Sequence, residues 1–475
     1  MKKLSLLARL ATLLCGAAPL FLSSCGGGGA DDPVIDEPLP ASLVSSVPGD
    51  GDTVDPESTT TLTLTFDQAI TTVMAQSITL NGDAVATATA SGRMLTVPTG
   101  RLEGSTAYTL RVGTYALRFE EEGFNKREYT LAFSTSEREQ PQIKATLAVP
   151  NPSAEAVSLY AYLRGIYGQK TLSGMMADVA WNHTESDRVA QLTGKYPAIN
   201  GYDYIHLAWS PANWIDYGDI TPVSEWWDAG GIVYIGWHWC VPSTQPAEGA
   251  TVDPATLTYQ TGATTFRTAN ATVEGTWEND WVRADLAKLA GYLKLLRDAG
   301  IPVLWRPLHE ASGNIYEYTG GTSWFWWGND GGAAYVKLWR YMFDYFAAEG
   351  LNNLVWVWTT QTKDDAFYPG DGYVDIIGRD LYGNTTASCV SQYRLISQTY
   401  ADKLVALAEC GWSDYTNSRV GPISEQWTAG ARWMWFMPWY DNDGAANAHA
   451  TDAWWQDAMN QPYVVTRDQL DITIR

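Results

Sequence analysis

Two glutamates that close apolar runs are the residues of this chain best placed to do chemistry. One ends Val303-Leu304-Trp305-Arg306-Pro307-Leu308-His309-Glu310, and the other ends Leu404-Val405-Ala406-Leu407-Ala408-Glu409. Two carboxyls from different elements, held about 5–5.5 Å apart, can break a glycosidic bond with retention: one protonates the leaving oxygen and the other attacks the anomeric carbon. The attacker must be ionised and the acid protonated, so their surroundings have to hold the two pKa values apart. Taken singly, either glutamate also reads as a helix-start residue favoured by the N-terminal dipole. A zinc site does not fit, because no second histidine follows His309-Glu310 at helical spacing and the chain has only five histidines. No metal and no organic cofactor is expected.

Shortly after Glu310 stands Trp324-Phe325-Trp326-Trp327-Gly328. Flat indole faces beside a carboxylate suit the C–H faces of sugar rings, burying apolar area while polar groups take the hydroxyls. The competing reading is that some of these indoles pack between strands and helices.

Positioning such a pair requires a scaffold, and the sequence from about Ala154 onward alternates apolar runs with amphipathic stretches, the signature of a parallel α/β fold. The expected strands are Thr171–Gly174, Pro197–Tyr202, Ile232–Trp237, Val303–Arg306, Leu354–Trp358, Asp375–Gly378, Leu404–Ala408 and Trp433–Pro438. Helical spacing marks Trp281 to Arg297, stopped by Gly300, and Ala333 to Ala348, stopped by Gly350. Eight strands over such a length predict a (β/α)8 TIM barrel, in which chemistry sits at the C-terminal strand ends. The polar and aromatic residues there are Asp203, His206, His238, His309, Glu310, Asp380, Tyr382, Glu409, Trp439 and Asp441.

Composition agrees with a large folded enzyme plus a small module. Of 475 residues, 45% are hydrophobic and 18% charged, which excludes disordered, collagen-like and coiled-coil classes for most of the chain. The 31 Lys and Arg against 53 Asp and Glu give a net charge of −22 with no basic cluster, so nucleic acid is not an expected partner. All 23 Trp lie between Trp181 and Trp455, which separates the C-terminal part from everything before it.

Met1 to Cys25 carries Lys2, Lys3 and Arg9, then an apolar run from Leu10 to Leu22, and reads as a secretory signal peptide. Its ending, Leu22-Ser23-Ser24-Cys25, resembles a bacterial lipoprotein box in which Cys25 becomes the lipidated first residue; the alternative is a simple cleaved signal. Residues 26–40, Gly-rich and then acidic and Pro-rich, read as a flexible tether resembling that of outer-membrane lipoproteins, exposed at the cell surface or on the periplasmic face. Residues 41–136 alternate with period two, as in Thr61-Leu62-Thr63-Leu64-Thr65-Phe66 and Tyr129-Thr130-Leu131-Ala132-Phe133, predicting an all-β sandwich. Together with Val47-Pro48-Gly49-Asp50-Gly51 they resemble bacterial Ig-like domains, and the lack of Trp favours a spacer over a glycan-binding module. The catalytic domain is assigned to residues 150–475. Outside the signal only Cys240, Cys389 and Cys410 remain, so at most one disulfide is possible and Cys410 reads as a small buried apolar residue.

Arg306-Pro307-Leu308-His309-Glu310 followed by Trp324-Phe325-Trp326-Trp327 resembles glycoside hydrolase family 26, chiefly β-mannanases. Gly231 to His238, Gly378-Arg379-Asp380-Leu381-Tyr382, Glu409-Cys410-Gly411 and Phe436-Met437-Pro438-Trp439 extend the likeness. The resemblance implies a retaining hydrolase with Glu310 as acid/base and Glu409 as nucleophile. It implies His238 and His309 near the reacting sugar, Trp326 or Trp327 as a stacking platform, Tyr382 hydrogen-bonded to the nucleophile and Trp439 flooring the subsite of the distorted sugar. Trp324 and Asp380 complete the expected substrate contacts. The stretch Ala311 to Ser323 and the residues after Trp439, Tyr440-Asp441, depart from the familiar pattern near substrate subsites. Val241–Glu278 is expected to loop over the cleft, either walling one end or leaving an open groove.

The expected activity is endo-acting hydrolysis of β-1,4-mannan, galactomannan or glucomannan by a secreted, lipid-anchored monomer. Rival readings are the same barrel acting on β-1,3-xylan or mixed-linkage glucan, and a surface glycan-binding lipoprotein without turnover.

Overall fold

The computed structural model describes residues 39–472 apart from 57, 86, 101, 138–141 and 442–447. The signal peptide, Cys25 and nearly all of the tether therefore lie outside the described residues. Two compact units are present, a smaller one that includes Thr61–Pro98 and Tyr108–Phe133 and a larger one that runs from Ser134 onward and also takes in Thr53–Thr60 and Thr99–Ala107.

The smaller unit is all β. Leu43–Val47, Thr61–Phe66, Met94–Pro98 and Thr89–Ser91 pair antiparallel in that order. The alternation works as expected: Leu62, Leu64 and Phe66 are buried while the intervening threonines face outward. Phe66 sits edge-on to Phe119 and Tyr129 at 5.1 and 5.0 Å, which closes the core at one end.

The larger unit is a closed barrel of eight parallel strands: β1 (Thr171–Met176), β2 (Ile199–Asp203), β3 (Ile232–Trp237), β4 (Val303–Pro307), β5 (Leu354–Thr359), β6 (Ile376–Tyr382), β7 (Leu404–Ser413) and β8 (Trp435–Pro438). Each pairs with the next, and β8 returns to β1 through Leu172↔Trp435 and Ser173↔Phe436. Buried on both faces, the strands read as continuous apolar runs, which is why all eight were visible in the sequence.

The helices are α1 (Ala154–Ile166), α2 (Thr184–Thr193), α3 (Thr221–Asp228), α4 (Trp277–Asp298), α5 (Gly332–Ala348), α6 (Thr386–Thr399), α7 (Ile423–Thr428) and α8 (Asp452–Met459). Helix α4 shows how local sequence sets them. Thr276 caps its start by accepting from Asn279 N at 3.2 Å, Val282, Leu286, Leu289, Leu293 and Leu296 form its buried stripe, and Gly300 follows its end with φ +70°.

One βα unit departs from the expected pattern. Between β5 and β6 there is only a short 3-10 turn, Asp365–Phe367. The helix lying against β5 is instead α1, which precedes β1 in the chain. Asp375 fixes this arrangement by accepting from Ala148 N at 2.6 Å and Trp356 N at 2.8 Å, and Tyr167 OH meets Tyr393 OH of α6 at 3.2 Å.

Candidate active site

The segment that ends β4 has an unusual backbone. Leu308 and Glu310 both have φ of +50°, a left-handed conformation that disfavours side chains with a Cβ. It is held from behind: Tyr335 OH donates to Leu308 O at 2.9 Å, Trp327 Nε1 to His309 O at 2.8 Å, and Gly313 N to Glu310 O at 3.0 Å. Residues needed to stabilise the turn explain part of the aromatic cluster downstream.

That finding corrects one expectation. Trp326 and Trp327 are fully buried, so neither offers a face to a sugar. The Trp326 indole donates to Trp239 O at 2.7 Å, and its backbone N–H to Tyr259 O at 3.0 Å, tying the loop after β4 to the loop after β3. Both indole N–H groups have a carbonyl acceptor, Trp239 O for Trp326 and His309 O for Trp327. Phe325 and Trp324 are the members of the cluster that keep solvent access. Trp324 O receives Thr261 N at 2.9 Å, which completes the link between the two loops. The β3 loop ends earlier than expected, because Trp277 and Glu278 already belong to α4.

Glu409 lies within β7, not beyond its end. The β6–β7 register shifts between Arg379 opposite Leu407 and Asp380 opposite Glu409, so Ala408 is the extra residue of a β-bulge. A bulge re-aims the residues that follow it. Gly411, next but one, is required by close approach: a Cβ there would lie 2.3 Å from His449 Nδ1, the acceptor of Trp412 N.

Arg306 organises the carboxylates. Fully buried on β4, it donates from Nε to Thr359 Oγ1 at 2.7 Å, and from Nη1 to Tyr234 OH at 2.9 Å and Glu409 Oε1 at 2.5 Å; Nη2 forms an ion pair with Asp380 Oδ2. The second Glu409 oxygen accepts from Tyr382 OH at 2.7 Å. Both oxygens of Glu409 are thus oriented by charge-assisted bonds.

Glu310 is different. Burial, followed by the neighbouring charges of Asp380 and Glu409, holds its carboxyl well above the ordinary range. Burial also raises Asp380, but Arg306 opposes that rise, and the interaction between the two carboxyls raises Glu310 while lowering Asp380. Both carboxyls are thus raised, Asp380 to about 7, and the bond between them favours the proton on Glu310.

A histidine pair flanks the carboxyls. Asp203, at the end of β2, accepts His238 Nδ1 at 2.6 Å and His238 N at 3.0 Å. Burial depresses the His238 pKa, but Asp203 outweighs it and leaves the imidazole raised. His238 Nε2 meets His309 Nε2 at 3.1 Å. Burial, Arg306 and His238 keep His309 well below its usual range and therefore neutral.

Two further expected sugar contacts are enclosed: the side chains of His309 and Asp380 have almost no accessible surface, because each serves a buried partner. The open surface near the pair comes from Tyr382, His238 and Trp439, with Trp439 5.6 Å from the His238 ring. Phe325 and Tyr259 pack on the same imidazole at 5.8 and 5.4 Å. His206 and Asp441 are not at this centre: His206 packs with Trp209 and Trp214, and Asp441 accepts His449 N at 2.5 Å. Sequence reading assigned no role to Arg306, Asp203, Phe325 or Tyr259. A charged residue inside an apolar strand was the available signal for Arg306, whereas Tyr259 gave none. Cys240, Cys389 and Cys410 are free, and Cys410 is buried.

The model for glycosyl hydrolase family 26 matches residues 148–469, and that for a bacterial Ig-like domain matches residues 37–135. The family 26 domain of an endo-β-mannanase/endo-β-glucanase from Prevotella bryantii is 45% identical, covering 69% of this chain and 99% of that one, with a TM-score of 0.64. A mannan endo-1,4-β-mannosidase from Thermothelomyces thermophilus is 36% identical over 313 residues, 64% of this chain and 59% of that protein. Mannan endo-1,4-β-mannosidase A from a Piromyces species is 32% identical over 342 residues, 69% of this chain and 51% of that protein. The chain thus spans between half and three-fifths of the length of these curated relatives.

Proposed function

This chain belongs to glycosyl hydrolase family 26, and from that premise we propose that it is an endo-acting β-1,4-mannanase that cleaves mannan, galactomannan or glucomannan with retention. The observation that carries the reading is the asymmetry of the two glutamates: Glu409 is bonded at both oxygens by Arg306 and Tyr382, while Glu310 is crowded by carboxylates and keeps a proton.

In this mechanism Glu310 protonates the glycosidic oxygen as Glu409 attacks the anomeric carbon; the C–O bond to the leaving sugar breaks and an ester to Glu409 forms. Ester formation removes the Glu409 charge, one of the causes that raise Glu310, so Glu310 becomes more acidic as the intermediate forms. It then takes a proton from the water that hydrolyses the ester. Asp380 acts through Arg306 and Glu310, and His238 with Trp439 bounds the reacting sugar. That relatives carry the name mannan endo-1,4-β-mannosidase supports mannan as the substrate in this reading.

The signal-like sequence and Leu22-Ser23-Ser24-Cys25 support export and lipidation at Cys25, with the Ig-like domain as a spacer holding the enzyme off an outer membrane. Loss of the protein from the membrane fraction in a Cys25→Ser variant checks the anchor.

The test of function is reducing-end release from linear mannan, galactomannan, β-1,3-xylan and mixed-linkage glucan. Cleavage of the mannans, lost in Glu310→Gln and Glu409→Ala, is expected. Cleavage of another glycan alone replaces the substrate, and binding without turnover overturns the enzymatic reading.

A further inference from the structure

Resting on the mannanase reading above, with Glu409 as nucleophile, we propose that His449, on the segment after β8, is a positioning residue for that carboxylate and that only its unprotonated imidazole performs the task. One ring braces both elements that aim Glu409. Its Nδ1 accepts Trp412 N at 3.1 Å, pinning β7 just beyond the nucleophile, and the ring meets that of Tyr382 edge-on at 5.7 Å. Tyr382 OH in turn donates to Glu409 Oε2 at 2.7 Å. The packing leaves no slack, because a Cβ on Gly411 would fall 2.7 Å from both Cβ and Cγ of His449. The bulge at Ala408 re-aims the residues after it, and this brace holds them there.

The imidazole is itself fixed from two sides. Asp441, past the end of β8, accepts His449 N at 2.5 Å and lies 3.5 Å from Arg188 Nη2 of α2, while Arg188 Nε donates to Glu185 Oε2 at 2.9 Å. On the other side Ala448 O accepts Arg419 Nε at 2.6 Å, and the Arg419 guanidinium lies over the Trp412 ring at 4.7 Å. Trp412 and Arg419 face each other in the short antiparallel ladder that extends β7. The segment carrying His449 is therefore locked to the strand that carries the nucleophile.

This brace is sensitive to a proton. An imidazole nitrogen accepts a hydrogen bond only while it carries no hydrogen, so the working tautomer has its proton on Nε2. Protonation at Nδ1 sets two N–H groups against each other across 3.1 Å and puts a cation beside the Tyr382–Glu409 bond. The charged groups around the ring are Asp441, Glu409, Asp414 and Arg419. Burial, aided by Arg419, outweighs the three carboxylates and holds His449 below the ordinary histidine value, so the ring is neutral at neutral pH and takes up a proton as pH falls. Activity on the acid side is then lost through His449, as activity on the basic side is lost through Glu310.

The test records kcat and KM on mannan against pH for the full chain, His449→Asn and His449→Ala. Asparagine sets an amide oxygen close to the place of Nδ1 and takes up no proton in this range. The expected result is a fall in kcat of about tenfold in His449→Ala with KM changed less than twofold, and recovery of most of kcat in His449→Asn. The acid limb of His449→Asn should move to lower pH while the basic limb stays. An unmoved acid limb in His449→Asn, no gain of asparagine over alanine, or kcat of His449→Ala within twofold of the parent overturns the proposal. If His449→Ala does not fold, the acid limb of His449→Asn decides alone. A parent chain that leaves mannan intact overturns the mannanase reading itself, and this proposal with it.

Discussion

Tyr382→Phe isolates one bond at the proposed nucleophile. The substitution keeps the ring, and with it the edge contact to His449 at 5.7 Å, and removes the hydroxyl that donates to Glu409 Oε2 at 2.7 Å. Among the described residues no neighbour replaces that donor: Arg306 already occupies Oε1, and His309 Nε2 stands 3.9 Å from that same oxygen. A hydrogen bond to a charged group contributes about 1.5–3 kcal/mol, so kcat/KM on mannan should fall roughly 10- to 150-fold. Because Tyr382 orients the residue that both forms and releases the ester, an aryl mannobioside with a good leaving group should show a comparable loss. Glu310→Gln differs, since a good leaving group needs no acid for the first step. Melting temperature should move little, because the removed group faces the cleft. Activity of Tyr382→Phe within twofold of the parent on both substrates would refute the idea that Glu409 is a nucleophile set by this bond.

Three other outcomes follow from the geometry. Activity requires protonated Glu310 and is lost as pH rises through its raised pKa; Asp380→Asn removes one of the charges that raise it, so the basic limb of kcat/KM should move to lower pH, read from a pH–rate profile, and an unmoved limb would contradict the assignment. Trp326→Ala should cost about 3–5 kcal/mol of stability, seen as a lower unfolding midpoint in denaturant, because a fully buried indole is removed. Trp439→Ala should leave that midpoint nearly unchanged and lower kcat/KM on mannan at least tenfold, since the half-buried ring borders the sugar site next to His238.

The barrel was legible because burial on both faces makes each strand an uninterrupted apolar run, and the two glutamates stand out as the charges that end such runs. The missing βα helix was not legible: α1 covers β5 from a position before β1, a long-range arrangement that no local pattern encodes. Trp326 and Trp327 were misread because exposure depends on partners. Their indoles find carbonyl acceptors at Trp239 and His309, 87 and 18 residues away, which converts a sugar-like aromatic cluster into a brace for a strained turn. The Asp203–His238 pair and the Arg306 hub likewise join different strands, so each residue type was visible while its partner was not.

The most direct test is to trap the intermediate with a 2-deoxy-2-fluoro mannobiosyl fluoride and sequence the labelled peptide by mass spectrometry. The two-step mechanism predicts one glycosyl ester, on the peptide carrying Glu409, absent from Glu409→Ala and still formed in Glu310→Gln. A label on any other residue, or turnover of mannan that yields the inverted anomer as first product, would contradict it.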